Sequence, residues 1–278
     1  MASTTPSSAL PLSRMALNLM TVGTGHPFDQ VLDACVRRGI GIVSPWQDHY
    51  ASAGVKHAAQ ALRDRNMRVN TLCRIAGFGE ADTPAAWQKA LDDAYRTIDE
   101  AVMLGATSIT VIGGGLAAGS KDIVASRERI SDSIQTLMPR ASSAGVALAV
   151  EPLHPMVAAN RGAINTLDQA LQIAIEAGAG VMVDAYNSWW DPNLSDSIGR
   201  AKGYILGFQV ADWLVPTTDL AFDRGMPGDG VIDLPAIRAM VEAADYHGPI
   251  EIEVLSSHWS GLALDDVLKI VLERWANC

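Results

Sequence analysis

Cysteine is nearly absent from this chain: three residues in 278, at Cys35, Cys73 and Cys278. Their wide spacing and odd number exclude a disulfide framework and predict free thiols in a reducing cytoplasm. Cys73 has no matching histidine constellation, so it reads as a small buried residue and not a nucleophile. Basic residues are also sparse, with 21 Lys and Arg against 31 Asp and Glu and a net charge of −10. That balance lacks the basic surface that nucleic acids and anionic membranes require, so neither is expected as a partner. Hydrophobic residues make up 49% of the chain, yet Gly or charge interrupts every apolar run before it reaches the length of a membrane span. The first residues lack a basic start followed by an apolar core and are not a secretory signal. Residues 1–14 read as a disordered lead into one domain over 15–278.

What the chain does have is alternation. Strand-like runs at 15–20, 40–44, 68–72, 108–112, 146–151, 181–184, 205–210 and 250–254 alternate with helix-like stretches. The helical stretches cover 27–38, 53–65, 84–104, 121–144, 167–177, 195–201, 234–244 and 264–276. Gly39, Gly105, Gly145, Gly178 and Gly248 lie where helices should stop. Eight strand–helix units without a linker or composition break predict an α/β fold, a (β/α)8 TIM barrel forming a single domain. A doubly wound two-domain arrangement is the alternative, and no linker supports it.

Four ligand-type side chains stand at the ends of apolar runs. Glu151 follows Val-Ala-Leu-Ala-Val, Asp184 follows Val-Met-Val, Gln209 follows Ile-Leu-Gly-Phe, and Glu253 lies in Ile-Glu-Ile-Glu-Val. Such runs are parallel strands covered on both faces, and a carboxylate at the carboxyl end has reached the mouth of the barrel. Converging oxygen donors, three of them anionic, repel one another unless a cation lies between them. Glu251 shares a face with Glu253 one layer deeper and reads as a structural, paired carboxylate. Asn18, Trp46 with Arg74, His154, Asn187 and Arg224 complete the strand ends and loops that would bound a substrate. Gly113-Gly114-Gly115 lacks the Lys-Ser or Lys-Thr of a phosphate loop and reads as a tight turn before a phosphate cradle.

The segments Val-Glu-Pro-Leu-His-Pro, Val-Asp-Ala-Tyr-Asn-Ser-Trp-Trp-Asp-Pro, Phe-Gln-Val-Ala-Asp-Trp, Asp-Arg-Gly-Met-Pro-Gly-Asp-Gly-Val-Ile-Asp and Glu-Ile-Glu-Val-Leu-Ser resemble the sugar phosphate isomerase/epimerase superfamily of xylose-isomerase-like barrels. The resemblance implies a divalent metal, Mn or Mg with Co as a further option, held by Glu151, Asp184, Gln209 and Glu253. It implies proton exchange with a substrate carbon by Glu151 and Glu253, through a metal-stabilised enediolate. The substrate would be a sugar or related polyhydroxy carbonyl compound, contacted by His154, Asn187, Arg224, Trp46 and Asn18. Two positions depart from the family pattern: Gln209 and Asn187 stand where histidines are usual. The glutamine makes the donor set all-oxygen and shifts preference toward Mg or Mn over Zn. The asparagine can hydrogen-bond but cannot shuttle a proton near neutral pH. The expected activity is therefore that of an isomerase or epimerase. Elimination by a lyase on the same scaffold and a non-catalytic binding barrel are the alternatives. Association into homo-oligomers, through the Ser188-Trp189-Trp190 loop, is a further expectation.

Overall fold

The computed structural model describes residues 10–278, so the expectation for 1–9 lies outside the described residues. From Leu10 onward the chain is tied down. Trp275 Nε1 donates to the Leu10 carbonyl at 2.9 Å, and Arg14 Nε donates to the Gly248 carbonyl at 3.2 Å.

Nine parallel strands form a nearly closed barrel: β1 (Met15–Asn18), β2 (Ile42–Ser44), β3 (Arg68–Val69), β4 (Thr71–Ile75), β5 (Ser108–Val111), β6 (Ala147–Val150), β7 (Gly180–Asp184), β8 (Ile205–Val210) and, last in the chain, β11 (Ile250–Ile252). Their order runs β3-β2-β1-β11-β8-β7-β6-β5-β4. The third predicted strand is split between β3 and β4 at Asn70, whose side chain turns inward to donate to Glu251 Oε2 at 2.9 Å. With that one strand broken in two, the nine strands are the eight units of a TIM barrel. A short antiparallel pair, β9 (Asp212–Trp213) with β10 (Arg224–Gly225), lies above β8.

The strands are buried along almost their whole length because helices cover the outside and side chains fill the inside. The helix Pro84–Leu104 shows why these residues form helices here. Thr83 accepts the Ala86 N–H at its start, Pro84 suits the first turn, and Gly105 closes it at φ 69°. Leu91, Ala94, Ile98 and Ala101 recur at helical spacing and form its buried stripe. The helix Leu167–Ala177 repeats the plan, with Thr166 accepting from Gln169 N and Gly178 at φ 75°. Replacing either threonine by alanine would cost about 0.5–2 kcal/mol. Gly248 departs from expectation: after the helix Leu234–Ala243 the left-handed residue is Asp245, at φ 66°. A Cβ on Gly248 would instead meet the Tyr246 ring at 2.7 Å, so close packing and not a helix cap calls for glycine there.

Candidate functional site

Glu151 follows β6, Asp184 closes β7, and Glu253 follows β11. Parallel pairing brings these strand ends to one mouth. One carboxylate oxygen from each lies within 4.8 Å of the others, and all three side chains are buried. Asp184 also caps the short helix Ala185–Ser188, its Oδ1 accepting the Tyr186 N–H at 2.9 Å. The cap uses Oδ1, while Asn187 and Arg224 meet Oδ2.

Three residues expected to meet substrate have their donors turned onto these carboxylates. Asn187 Nδ2 donates to Glu151 Oε1 at 3.0 Å and to Asp184 Oδ2 at 2.6 Å. Asn18 Nδ2 donates to Glu253 Oε1 and to Glu251 Oε1, each at 2.8 Å. Arg224 Nη1 lies 3.1 Å from Glu253 Oε2 and 3.4 Å from Asp184 Oδ2. Glu251 is fully buried and, where a paired carboxylate was expected, accepts from four neutral donors: Asn18, Ser44, Asn70 and Gln209.

Burial pushes the Glu151 carboxyl up to about 8, with Asp184 adding to the shift and Arg224 opposing it. Burial likewise raises Asp184, and it raises Glu253 well above the usual carboxylate range, against the pull of Arg224. One guanidinium does not balance this many buried carboxylates, which is the electrostatic demand a divalent cation answers. The donor chemistry fits such an ion. Beside the three carboxylates, Gln209 Oε1 is buried without a hydrogen-bond partner among the described residues. Oxygen donors of this kind suit hard divalent cations.

The loop after β8 carries Arg224 and is folded around Asp212. Asp212 Oδ1 accepts from Trp213 N at 2.9 Å and Ile232 N at 3.0 Å, while Oδ2 accepts from Gly228 N at 3.0 Å. Gly230 lies so close that a Cβ would stand 2.6 Å from Asp212 Oδ1. The Arg224 guanidinium rests 4.3 Å over the Tyr186 ring. Trp213 stacks on Tyr186 at 4.8 Å and meets His154 at 4.8 Å and Trp189 at 5.8 Å. Trp190 Nε1 donates to the Asn187 carbonyl at 2.8 Å. Trp189 and Trp190 are half-buried, and within this chain Trp189 packs against Trp213 and Trp190 against His154.

His154 Nδ1 accepts from Met156 N at 3.3 Å, which leaves Nε2 free for another contact. Burial lowers its pKa, so the ring is neutral near pH 7. Trp46 is buried with Cys73 and Leu255, and its ring carries the Arg74 guanidinium at 4.6 Å. All three cysteines are free and buried. Arg161, in the loop after β6, was not singled out from sequence. Burial, with the nearby charges of Arg224 and Arg74, lowers its pKa, while Glu151 and Glu253 oppose the shift. No local pattern marks it, because only the barrel brings it near those groups. The glycine loop holds an anion of its own: Gly115 N–H donates to Glu80 Oε1 at 2.7 Å. A Cβ on Gly114 would fall 2.0 Å from Glu80 Oε2, so the carboxylate occupies the space a phosphate would need.

Comparison with known proteins agrees with this architecture. No curated protein sequence matches the chain. The Sinorhizobium meliloti 1021 protein SMc04130 is 42% identical, with a TM-score of 0.93 over 96% of this chain and 99% of that one. The IolI protein, solved with a bound zinc atom, shares the fold at a TM-score of 0.79 and 17% identity, covering 94% of this chain and 96% of its own. The 3-keto-D-glucoside 4-epimerase YcjR from E. coli shares it at 0.73 and 17% identity, over 94% and 99% of the two chains. A family model described as xylose isomerase-like TIM barrel matches residues 32–275. With that match spanning most of the chain and the barrel observed strand by strand, the protein belongs to the xylose isomerase-like TIM barrel family.

Proposed function

We propose that this protein is a divalent-metal-dependent isomerase or epimerase acting on a sugar or related polyhydroxy carbonyl compound. The observation that carries the reading is the buried convergence of Glu151, Asp184 and Glu253 within 4.8 Å. These three, with the amide oxygen of Gln209, would hold the ion, and the all-oxygen set favours Mn or Mg, with Co a further fit. Bound there, the ion would supply Lewis-acid polarisation of a substrate carbonyl, acidifying the adjacent C–H.

The chain's own residues supply the proton transfers. Glu151 and Glu253 issue from β6 and β11, with β7 and β8 between them, so they approach a substrate from two sides. One takes the proton from the carbon beside the carbonyl, and the other returns it. Return to the opposite face of the same carbon is epimerisation, and delivery to the neighbouring carbon is isomerisation. Arg224 holds Glu253 in place and sets a fixed positive charge where negative charge grows on substrate oxygen. Asn187 orients Glu151 and Asp184 together. His154, through Nε2, and the cationic Arg74 and Arg161 offer contacts to hydroxyl groups. The E. coli neighbour acts, by its name, on a keto-glucoside, which is a polyhydroxy carbonyl compound of this kind.

A lyase is the second reading, favoured by Asn187. Its amide is held by two carboxylates and cannot return a proton as an imidazole would, so departure of a β-substituent competes with reprotonation. Metal analysis before and after chelation, with deuterium uptake from heavy water into ketoses and oxidised glycosides, tests both readings. About one Mn or Mg per chain with metal-dependent uptake supports the proposal, and the products separate epimerase from lyase. No bound metal and no exchange overturns both and leaves a binding barrel.

A further inference from the structure

Gln209 lies between two acidic neighbours at one level of the barrel. It pairs in register with Asp184 of β7 on one side and with Glu251 of β11 on the other. Its Nε2 donates to Glu251 Oε1 at 2.9 Å. The two Glu251 oxygens accept from four donors in all, and the amide set against them presents its NH2 group. The amide oxygen is thereby turned away from Glu251, and there it is buried with no partner among the described residues. A buried acceptor without a donor is costly unless something positive completes it.

Glu251 is itself held firmly. Ser44 Oγ and Asn70 Nδ2 donate to Oε2, and Asn18 Nδ2 shares Oε1 with Gln209. No cationic side chain pairs with it among the described residues, and it precedes Glu253 by two residues on the same face of the strand. Its four contacts all come from neutral donors, one of which, Asn18, also donates to Glu253.

We infer that Glu251 is a positioning residue: it locks the Gln209 amide with its oxygen toward Glu151, Asp184 and Glu253, giving the site a fourth, uncharged oxygen donor. The inference rests on the metal-dependent reading above and assigns the preference of that site for oxygen-seeking ions to a residue that does not touch the ion. Replacing the carboxylate by an amide removes the acceptor-only neighbour and lets Gln209 turn either way.

The test is metal binding by the full chain, read by equilibrium dialysis with elemental analysis for Mn2+ and Zn2+ separately. Glu251→Gln and Gln209→Leu are each expected to weaken Mn2+ binding by roughly ten- to a hundredfold. In the double variant the loss should not exceed that of Gln209→Leu alone, because Glu251 acts through Gln209. Unchanged Mn2+ binding in Glu251→Gln, or an equal loss when residue 209 is already leucine, overturns the inference. If the unaltered protein binds neither ion, this inference and the metal-dependent reading fall together; if it binds and Glu251→Gln is inert, only this inference falls. Should Glu251→Gln not fold, Gln209→His answers in its place. An imidazole there should raise Zn2+ affinity relative to Mn2+ by about tenfold or more, and an unchanged ratio would mean that side chain 209 does not face the ion.

Discussion

Arg224 Nη1 stands 3.1 Å from Glu253 Oε2 and also reaches the Glu253 main-chain oxygen at 3.3 Å. A single guanidinium nitrogen therefore holds both the backbone and the carboxylate of one of the two proton-transfer candidates. The same nitrogen lies 3.4 Å from Asp184, so it ties two strand ends together. Removing it leaves buried carboxylates uncompensated. Arg224→Ala is expected to lower stability by about 3–5 kcal/mol and kcat/KM by at least about a hundredfold. Saturating Mn2+ should restore more stability to this variant than it adds to the unaltered protein. Urea unfolding with and without Mn2+ checks this, and equal stability of the two proteins would refute the compensation.

Glu151→Gln and Glu253→Gln should each abolish turnover while leaving the fold intact. An amide keeps the shape of the carboxyl but cannot take a proton from carbon. Because burial already favours the uncharged form of Glu151, Glu151→Gln should not melt lower than the unaltered protein in the absence of metal, whereas Glu253→Gln loses its ion pair with Arg224 and should melt lower. Deuterium uptake and thermal melts measure the two effects separately. Near-normal exchange in either variant would sink the two-glutamate mechanism.

The pH dependence has a definite sign. In the folded protein without a cation, Glu151 titrates at about 8, against an ordinary value of 4.5. Asp184 and Glu253 shift in the same direction, with Arg224 opposing all three and Glu251 adding to them. Between those two values the folded state holds protons that the unfolded chain has released, so stability falls as pH rises through the window. Cation binding expels these protons, and stabilisation by Mn2+ should grow from about pH 5 to about pH 8. Calorimetry in buffers of different ionisation enthalpy counts the protons released. Release of none, or cation affinity that falls as pH rises, would contradict the assignment.

Asp212 gathers three backbone N–H groups that shape the loop bearing Arg224. Asp212→Ala leaves them without an acceptor, at about 1–3 kcal/mol for each group that stays buried. Faster hydrogen exchange at Gly228 and Ile232 is expected, with a loss of activity that follows the displacement of Arg224. Protection equal to that of the unaltered protein would show that the loop is held by its other contacts.

Much of this molecule is written locally in its sequence. The predicted helices 84–104 and 167–177 and the strand 205–210 coincide with the observed Pro84–Leu104, Leu167–Ala177 and Ile205–Val210. Apolar period, threonine caps and terminal glycines act within a few residues and need no partner to be read. The same holds for Glu151, Asp184, Gln209 and Glu253: an apolar run ending in an oxygen donor announces a strand that opens on a barrel mouth.

Which donor meets which acceptor was decided only by closure of the barrel. Asn18 and Glu251 are 233 residues apart in the chain, yet the pairing of β1 with β11 sets them in contact. The turning of Asn18 and Asn187 onto carboxylates, the filling of the glycine loop by Glu80 and the approach of Arg161 to the site are of the same kind. So is the break at Asn70, where a side chain leaves the strand pattern to reach Glu251. Periodicity along a chain identifies the face on which a side chain lies. The partner it finds there depends on strand register and on competition among buried donors for a few acceptors, and both exist only in the folded barrel.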